Sequence, residues 1–220
     1  MAKLRLLFIK EAQASYISHL DTMRTFQRVF PRAELHLKHS NCFHPHPIIS
    51  IVLPLPVGQS SDCELLDFET LEDTDGTGIA EKLNTGLPAG LRVRECYPVT
   101  RPVREFALLR ARLELIYDNG VSAGAVEELR ALFARQTLMI EKRTKHKELA
   151  QIDIAPLLRT ITFTEDGGSI FADALVAAQN PGLNPAYLAQ AIERELPALK
   201  PDFVRVRRQE IYDAQEQVFR

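Results

Sequence analysis

The order in which strand-like and helix-like patterns follow one another most constrains the fold of this 220-residue chain. Hydrophobic periodicity and turn residues divide its first half into six elements. These are a strand at 4–9, a helix from Ser18 to Pro31, strands at 48–53 and 61–69, a short helix with Ile79, Leu83 and Leu87 on one face, and a strand at 91–97. The order βαββαβ predicts a ferredoxin-like arrangement, in which two helices cover one face of a four-stranded antiparallel sheet and leave the other face free for a partner.

A similar pattern begins again after Val103. Its predicted elements are strands at 107–117, 138–142, 158–164, 170–177 and 204–212, a helix capped by Ser122, and a helix capped by Asn184 with Pro185 at its first position. Gly167 and Gly168 indicate a hairpin turn. We therefore predict an α+β protein made of two tandem ferredoxin-like halves with antiparallel sheets, at residues 1–103 and 104–220. The duplication follows from element order, since the residues themselves show no clear repeat.

Composition narrows the classes of function. Hydrophobic residues make up 45% and charged residues 25% of the chain, which suits a globular protein with a sizeable core. The net charge of -2 means that any contact with phosphates must come from local patches.

Cys42, Cys63 and Cys96 are too far apart to form a zinc knuckle or an iron–sulfur cradle by themselves, so we expect no metal and no cofactor. The chain shows neither a signal peptide nor a membrane span, so we expect a cytoplasmic protein without membrane contact.

Residues 40–56 read S-N-C-F-H-P-H-P-I-I-S-I-V-L-P-L-P and predict a stiff, shaped loop. Each proline fixes its own φ and pushes the preceding residue toward extended geometry, so His44 and His46 have little backbone freedom. We predict that Ser40, Phe43, His44 and His46 bind the substrate. Two alternatives stay open: a metal site in which His19 or Cys42 joins the two histidines, and a rigid solvent-facing loop without a ligand.

Residues 18–21 read S-H-L-D and begin the first predicted helix. Free N–H groups and the positive end of the helix dipole attract anions there, so we also predict His19, Asp21 and Arg24 as substrate-binding residues. We expect one polar site where the loop and the start of the helix meet, formed by His19, Arg24, Ser40, His44 and His46. Ser18 with Asp21 equally fits a capping box, an interpretation that leaves His19 unexplained.

Residues 142–147 read K-R-T-K-H-K and form the densest basic run, while arginines on the last predicted strand form a second cluster. The predicted phosphate-binding residues are Lys142, Arg143, Lys145, Lys147, Arg205 and Arg207. A solvated hairpin face is the alternative, because such a charge run without interleaved aromatic residues is common on surfaces. Asp153 either orients one of these bases or caps the segment that ends at Leu158.

Three motifs carry a resemblance to a known family. They are Y-I-S-H-L-D at 16–21 with Arg24 after it, F-H-P-H-P-I-I-S at 43–50, and L-P-L-P-V-G at 53–58. In this order they resemble a bacterial family of radical-SAM-linked proteins, catalogued as a domain of unknown function. Cys42 stands where that family commonly has glycine, and Pro31 interrupts a helix that usually continues. The resemblance implies an accessory role beside a radical SAM enzyme.

These observations lead to one main hypothesis: an accessory protein of a separate radical SAM enzyme that binds RNA, either tRNA or rRNA, and is not catalytic itself. One alternative is a metal-independent ribonuclease, in which His19, His44 or His46 moves protons and Arg24 or Lys145 stabilises the phosphorane. A tandem ferredoxin-like arrangement is similar to that of CRISPR repeat-processing endonucleases, which implies such an activity only by analogy. The other alternative is a protein–protein docking module whose free sheet face contacts no nucleic acid.

Overall fold

The computed structural model describes residues 1–143 and 149–220, and the chain folds into two compact units. Unit 1 comprises Met1–Glu105 together with Phe219–Arg220, and unit 2 comprises Phe106–Val218. The predicted boundary after residue 103 lies two residues before this division. The sequence pattern did not indicate that the last two residues belong to the first unit. Both units are mixed α+β structures with antiparallel sheets.

Unit 1 follows the predicted order of elements. Its elements are β1 (Ala2–Lys10), α1 (His19–Arg32), β2 (Ile49–Ile51), β3 (Ser60–Thr70), α2 (Ile79–Asn84) and β4 (Leu91–Pro98). A 3-10 turn at Ala12–Tyr16 joins β1 to α1. The strand order is β4-β1-β3-β2, with every neighbouring pair antiparallel. Pro31 lies inside the last turn of α1, so the helix continues one residue beyond the predicted stop.

The core of unit 1 lies between the sheet and its two helices. Alternate residues of β1, Leu4, Leu6 and Phe8, are buried on the face toward the helices. Phe26 of α1 packs edge-on against Phe8 with 5.0 Å between ring centroids. On α2, Asn84 donates to the carbonyl of Val93 and accepts from its N–H, both at 2.8 Å, which fastens the short helix to β4.

The opposite face of the unit 1 sheet is buried as well. Five of its side chains are at most 5% exposed: Arg5, Leu7, Ile9, Cys63 and Leu65. Arg5 sits in this apolar surface because Asp67 accepts two hydrogen bonds from its guanidinium, at 2.6 and 2.9 Å. The ring of Phe219 covers the same guanidinium at 4.9 Å. The expectation of a free face is therefore wrong for this sheet, because side chains on both faces of β1 and β3 are buried.

The described residues of unit 2 form eight helices and strands. They are β5 (Phe106–Ile116), α3 (Ala125–Phe133), β6 (Met139–Arg143), β7 (Leu149–Asp153), β8 (Leu158–Asp166), β9 (Ser169–Ala177), α4 (Ala186–Glu195) and β10 (Phe203–Asp213). The main sheet has the order β10-β5-β9-β8, again antiparallel, while β6 and β7 form a separate two-stranded sheet. The sequence pattern did not predict β7. The turn between β8 and β9 consists of Gly167 and Gly168, both with positive φ, as a two-residue hairpin requires.

Two predicted helix caps differ in detail from the structure. Gly124, at φ 81°, occupies the N-cap position of α3, and Ser122 accepts through its backbone carbonyl from the N–H of Ala125. Pro185 occupies the N-cap position of α4, whereas the side chain of Asn184 accepts from the N–H of Ala186 at 3.2 Å. The left-handed conformation of a glycine therefore starts α3, and a hydrogen bond from the backbone to an asparagine side chain starts α4.

The main core of unit 2 lies on one face of its sheet. Leu109, Ala111, Leu113 and Leu115 of β5 point toward the helices and are buried. The alternating side chains of β5, with Arg110 and Arg112 among them, are exposed on the other face. The second face of the sheet is therefore largely exposed in unit 2, whereas it is buried in unit 1. Within residues 1–143 and 149–220, no helix is long and apolar enough to cross a lipid bilayer.

Candidate functional site

The histidine–proline segment forms a short hairpin that leaves the edge of the unit 1 sheet. Before it, the N–H of Lys38 donates to the carbonyl of Glu69, and after it the carbonyl of Ile48 accepts from the N–H of Glu69. The hairpin is closed by a bond from the N–H of Ile48 to the carbonyl of Lys38, at 2.8 Å. The chain therefore pairs with β3, leaves it for the hairpin, and returns to the same residue before it continues as β2.

Three side chains meet inside this hairpin. Ser40 Oγ lies 3.0 Å from His46 Nδ1 and 3.1 Å from Cys42 Sγ. The thiol of Cys42 donates to the carbonyl of His44 at 2.9 Å. The backbone N–H of Ser40 also donates to the carbonyl of His46 at 2.9 Å, so the ends of the loop are tied by main-chain and side-chain bonds together. Proline stiffness and this small network keep the imidazole of His46 in one orientation.

The tip of the hairpin is exposed. Phe43 is 94% exposed, and its ring meets that of His44 edge-on, with 4.9 Å between centroids. An exposed phenyl ring beside an imidazole offers two planar surfaces to a ligand. Ser40, Phe43, His44 and His46 thus lie on one exposed loop, and their role in binding a substrate stays a prediction.

The metal alternative lacks a third ligand. Cys42 Sγ and His46 Nδ1 are 3.8 Å apart, but in the part of the chain that the structure describes no group of three His, Cys, Asp or Glu side chains is placed to hold an ion. Two ligands on an exposed loop leave a zinc ion open to water on at least two sides.

The start of α1 forms a second polar group. Ser18 Oγ accepts from the N–H of Asp21 at 3.1 Å and donates to the Asp21 carboxylate at 2.6 Å, which establishes the capping interpretation. Arg24 lies 3.1 Å from the other carboxylate oxygen. The Ser18 hydroxyl, followed by the Arg24 guanidinium, lowers the pKa of Asp21 below its ordinary value. His19 remains unexplained by capping: its Nδ1 is shielded from water and has no hydrogen-bond partner among the described residues.

The strand register separates these two polar groups within unit 1. The hairpin meets β3 at Glu69, whose partner on β1 is Lys3. The helix α1 begins beyond the other end of β1, where the ammonium of Lys10 donates to the carbonyl of Ile17 at 2.8 Å. Seven strand residues span about 23 Å. The register does not favour one site shared by His19 and His44, so we treat the two groups separately.

The predicted phosphate-binding residues are distributed over two elements of unit 2. Lys142 lies on β6, with its ammonium 5.8 Å from the ring centroid of Tyr187. Arg205 lies on β10 with its guanidinium 3.0 Å from Glu114, and Arg207 is half-buried on the same strand. Lys145 and Lys147 lie outside the described residues, as does the side chain of Arg143. Asp153 caps the 3-10 turn after β7, since it accepts from the N–H groups of Leu138 and Ala155.

The open face of the unit 2 sheet is a candidate site that the sequence reasoning missed. Three cross-strand rows define it: Arg205, Glu114, Phe171 and Thr164; Arg207, Arg112, Asp173 and Thr162; and Glu210, Arg110, Leu175 and Thr160. Four arginines and three carboxylates therefore share the face. The available signal was the alternation of arginine and leucine along β5, which marks one polar and one buried side of a strand.

A concavity of about 510 Å³ lies on this open face. Residues from all four strands form it, including Arg110, Arg112, Thr160, Asp173 and Gln209. Asp173 accepts two hydrogen bonds from Arg112, at 2.8 and 2.9 Å, and this pairing raises the pKa of the guanidinium. The size falls in the range of about 300–1,000 Å³ that is common for ligand pockets.

Comparisons with known proteins give a family and a fold. The profile of a family described as "Uncharacterized protein conserved in bacteria (DUF2344)" matches residues 3–185. No curated protein matches the sequence.

Among solved structures, a chain of a Cbf5-Nop10-Gar1 complex is similar at 10% identity with a TM-score of 0.52, over 94% of this chain and 48% of that chain. The present chain thus spans about half the length of the matched one. An unknown protein from Galdieria sulphuraria aligns over 94% of this chain and 98% of that chain at 13% identity, with a TM-score of 0.28. The similarity to the chain of the Cbf5-Nop10-Gar1 complex concerns the fold alone, because only 10% of the residues are identical. The second similarity is too low to indicate a shared fold.

Proposed function

The chain belongs to the DUF2344 family of uncharacterized bacterial proteins, and from this premise we propose that it binds RNA as an accessory protein of a separate radical SAM enzyme. In this proposal the chain presents the RNA and the enzyme carries out the reaction. The link to a radical SAM enzyme rests on the motifs at 16–21, 43–50 and 53–58. The support for RNA as the ligand comes from the open face of unit 2.

The open face of unit 2 is the observation that carries the RNA proposal. Four arginines share this face, and two of them, Arg207 and Arg112, are direct cross-strand neighbours. Such a cluster of guanidinium groups makes the face locally basic although the chain as a whole is not. A phosphate backbone would supply the opposite charge, and arginine is well suited to bind it through its planar fork of donors.

Unit 1 carries the surface that we assign to the enzyme partner. Tyr16 and Val57 are 68% and 59% exposed, and they adjoin a bond between the N–H of Gly58 and the carbonyl of Ser15. Leu20, in the first turn of α1, is exposed as well. Exposed apolar side chains close together favour contact with a protein. This observation also supports the second candidate function, a docking module without nucleic acid contact.

We further propose that both units are ferredoxin-like and arose by duplication. The order β4-β1-β3-β2 of unit 1 corresponds strand by strand to β10-β5-β9-β8 of unit 2. The hairpin of β6 and β7 is then an insertion between the first helix and the second strand of the second copy. The correspondence supports a common origin although no residue repeat is visible.

Binding of total cellular RNA over a salt series tests the proposed function. We expect the wild-type chain to bind at low salt and to release the RNA as salt rises. The Arg205→Gln/Arg207→Gln variant should bind more weakly. The matched control is Arg92→Gln/Arg94→Gln, which removes two exposed strand arginines from unit 1 and should leave binding unchanged.

The condition of the RNA separates the remaining alternatives. Intact RNA supports a carrier, whereas fragments that disappear with His19→Ala or His44→Ala support a ribonuclease. If the wild-type chain binds no RNA even at low salt, the RNA proposal is wrong and the docking module takes its place.

A further inference from the structure

We infer that the concavity on the open face of unit 2 holds a base of single-stranded RNA, which stacks on arginine guanidinium planes that neighbouring aromatic rings hold in place. This inference rests on the proposed function and names the class of RNA and the residues that bind it. None of the residues that line the concavity belongs to the basic clusters that the sequence indicates.

Two arginines of β5 lie over aromatic rings on this face. Arg112 lies 5.9 Å from the ring centroid of Phe171, and Arg110 lies 5.3 Å from that of Tyr212. A guanidinium above a ring is attracted by the negative face of the ring, which holds the side chain in place. RNA-binding proteins stack unpaired bases on such rings and on guanidinium planes.

The two arginines have different electrostatic surroundings. The charge of Arg112 is compensated by the two hydrogen bonds from its guanidinium to Asp173. In the part of the chain that the structure describes, Arg110 forms no ion pair. Arg112 is therefore suited to serve as a neutralised planar surface for a base, and Arg110 retains its charge for a phosphate.

The rest of the concavity suits a base better than a phosphate alone. Leu175 provides an apolar floor, and it is 5% exposed. Thr160 and Thr162 contribute hydroxyls and Gln209 an amide, all of which can donate and accept hydrogen bonds. An acidic peptide would use the arginines but not the apolar floor or the neutral polar groups. The combined chemistry favours a nucleotide.

The shape of the face favours a single strand over a duplex. Side chains of a sheet stand perpendicular to it and present a broad platform from four strands. Bases of a duplex are stacked on one another and offer only their edges, whereas an unpaired base can turn its face toward the platform.

Fluorescence anisotropy with a labelled oligouridine of about 12 nucleotides, and with the same strand annealed to its complement, tests this inference. We expect the wild-type chain to bind the single strand more tightly than the duplex. Phe171→Leu and Arg110→Gln should each weaken single-strand binding about tenfold or more. Phe171→Tyr keeps a ring and should retain binding, which separates stacking from a merely structural effect. Arg92→Gln is the control, an exposed strand arginine of unit 1.

The possible outcomes distinguish this inference from the proposed function. If the chain binds the oligonucleotide and both Phe171→Leu and Arg110→Gln bind as well as wild type, the site is elsewhere and the proposed function stands. Equal binding of duplex and single strand overturns the single-stranded class. No binding of either RNA by the wild-type chain overturns the proposed function together with this inference. Melting curves of Phe171→Leu and Phe171→Tyr establish that both variants are folded.

Discussion

At the scale of single residues, the three cysteines differ in solvent exposure, which the sequence alone did not indicate. Cys42 is exposed on the histidine–proline hairpin, Cys63 is buried, and Cys96 is partly buried. Burial, followed by the negative charge of Asp75, raises the pKa of the Cys96 thiol to about 12. The thiolate is the reactive form, so exposure and pKa together decide which thiol reacts.

We expect an alkylating reagent at neutral pH to modify Cys42 first. Cys96 should react much more slowly because its thiol stays protonated, and Cys63 should react only when the chain unfolds. Mass spectrometry of peptides after timed exposure to iodoacetamide measures this order, and Cys42→Ser is the control that removes the fast phase. Modification of Cys63 as fast as that of Cys42 would contradict the buried position of β3.

At the scale of secondary-structure elements, two ion pairs of the unit 1 sheet differ in how much stability is lost when one partner is removed. Arg5 is fully buried, and its guanidinium is held by Asp67 and covered by Phe219. Lys38 and Glu69 form a second pair at the same sheet, but both side chains are partly exposed. Desolvation makes the loss of one partner costly in the first pair, whereas water compensates for it in the second.

We predict that Asp67→Asn lowers the free energy of unfolding by about 3–5 kcal/mol, because it leaves the charge of Arg5 buried and unpaired. Glu69→Gln, the matched change on the same strand, should cost at most about 1 kcal/mol. Urea denaturation followed by circular dichroism compares the two variants. Equal losses of stability for both would show that burial of Arg5 does not set the strength of its pair.

At the scale of the whole molecule, the two units divide the proposed tasks. Unit 1 carries the family motifs and the exposed apolar residues, while unit 2 carries the open arginine face. Because the net charge is -2, the proposed RNA binding requires a local basic patch such as this face. The two activities should therefore respond to different substitutions.

Two assays test this proposed division of tasks: co-purification with a candidate radical SAM partner, and binding of RNA. We expect Tyr16→Ser/Val57→Ser to abolish co-purification, which should resist nuclease treatment, while RNA binding stays unchanged. Arg110→Gln should weaken RNA binding at least about tenfold and leave co-purification intact. If each variant impairs both activities equally, the assignment of one task to each unit is wrong.

The order of elements could be read from the sequence, because apolar periodicity and turn residues are local. Strand β1, helix α1 and the glycine turn between β8 and β9 lie within a few residues of their predicted bounds. Strand β7 was missed since it packs with β6 in a small separate sheet and carries a weaker pattern. The polar loop of Ser40 and His46 could be anticipated for a similar reason, as both residues lie in one short segment stiffened by prolines.

Only the tertiary structure decided which faces are open and which side chains meet. The sequence alone determined the α+β class, the succession of elements and the stiff histidine–proline loop, since each depends on neighbours in the chain. Burial of the second face in unit 1 and exposure of Arg110 and Arg112 in unit 2 depend on packing between residues far apart in sequence. The same holds for Arg112 and Asp173, which are brought together by strand register and not by any local motif.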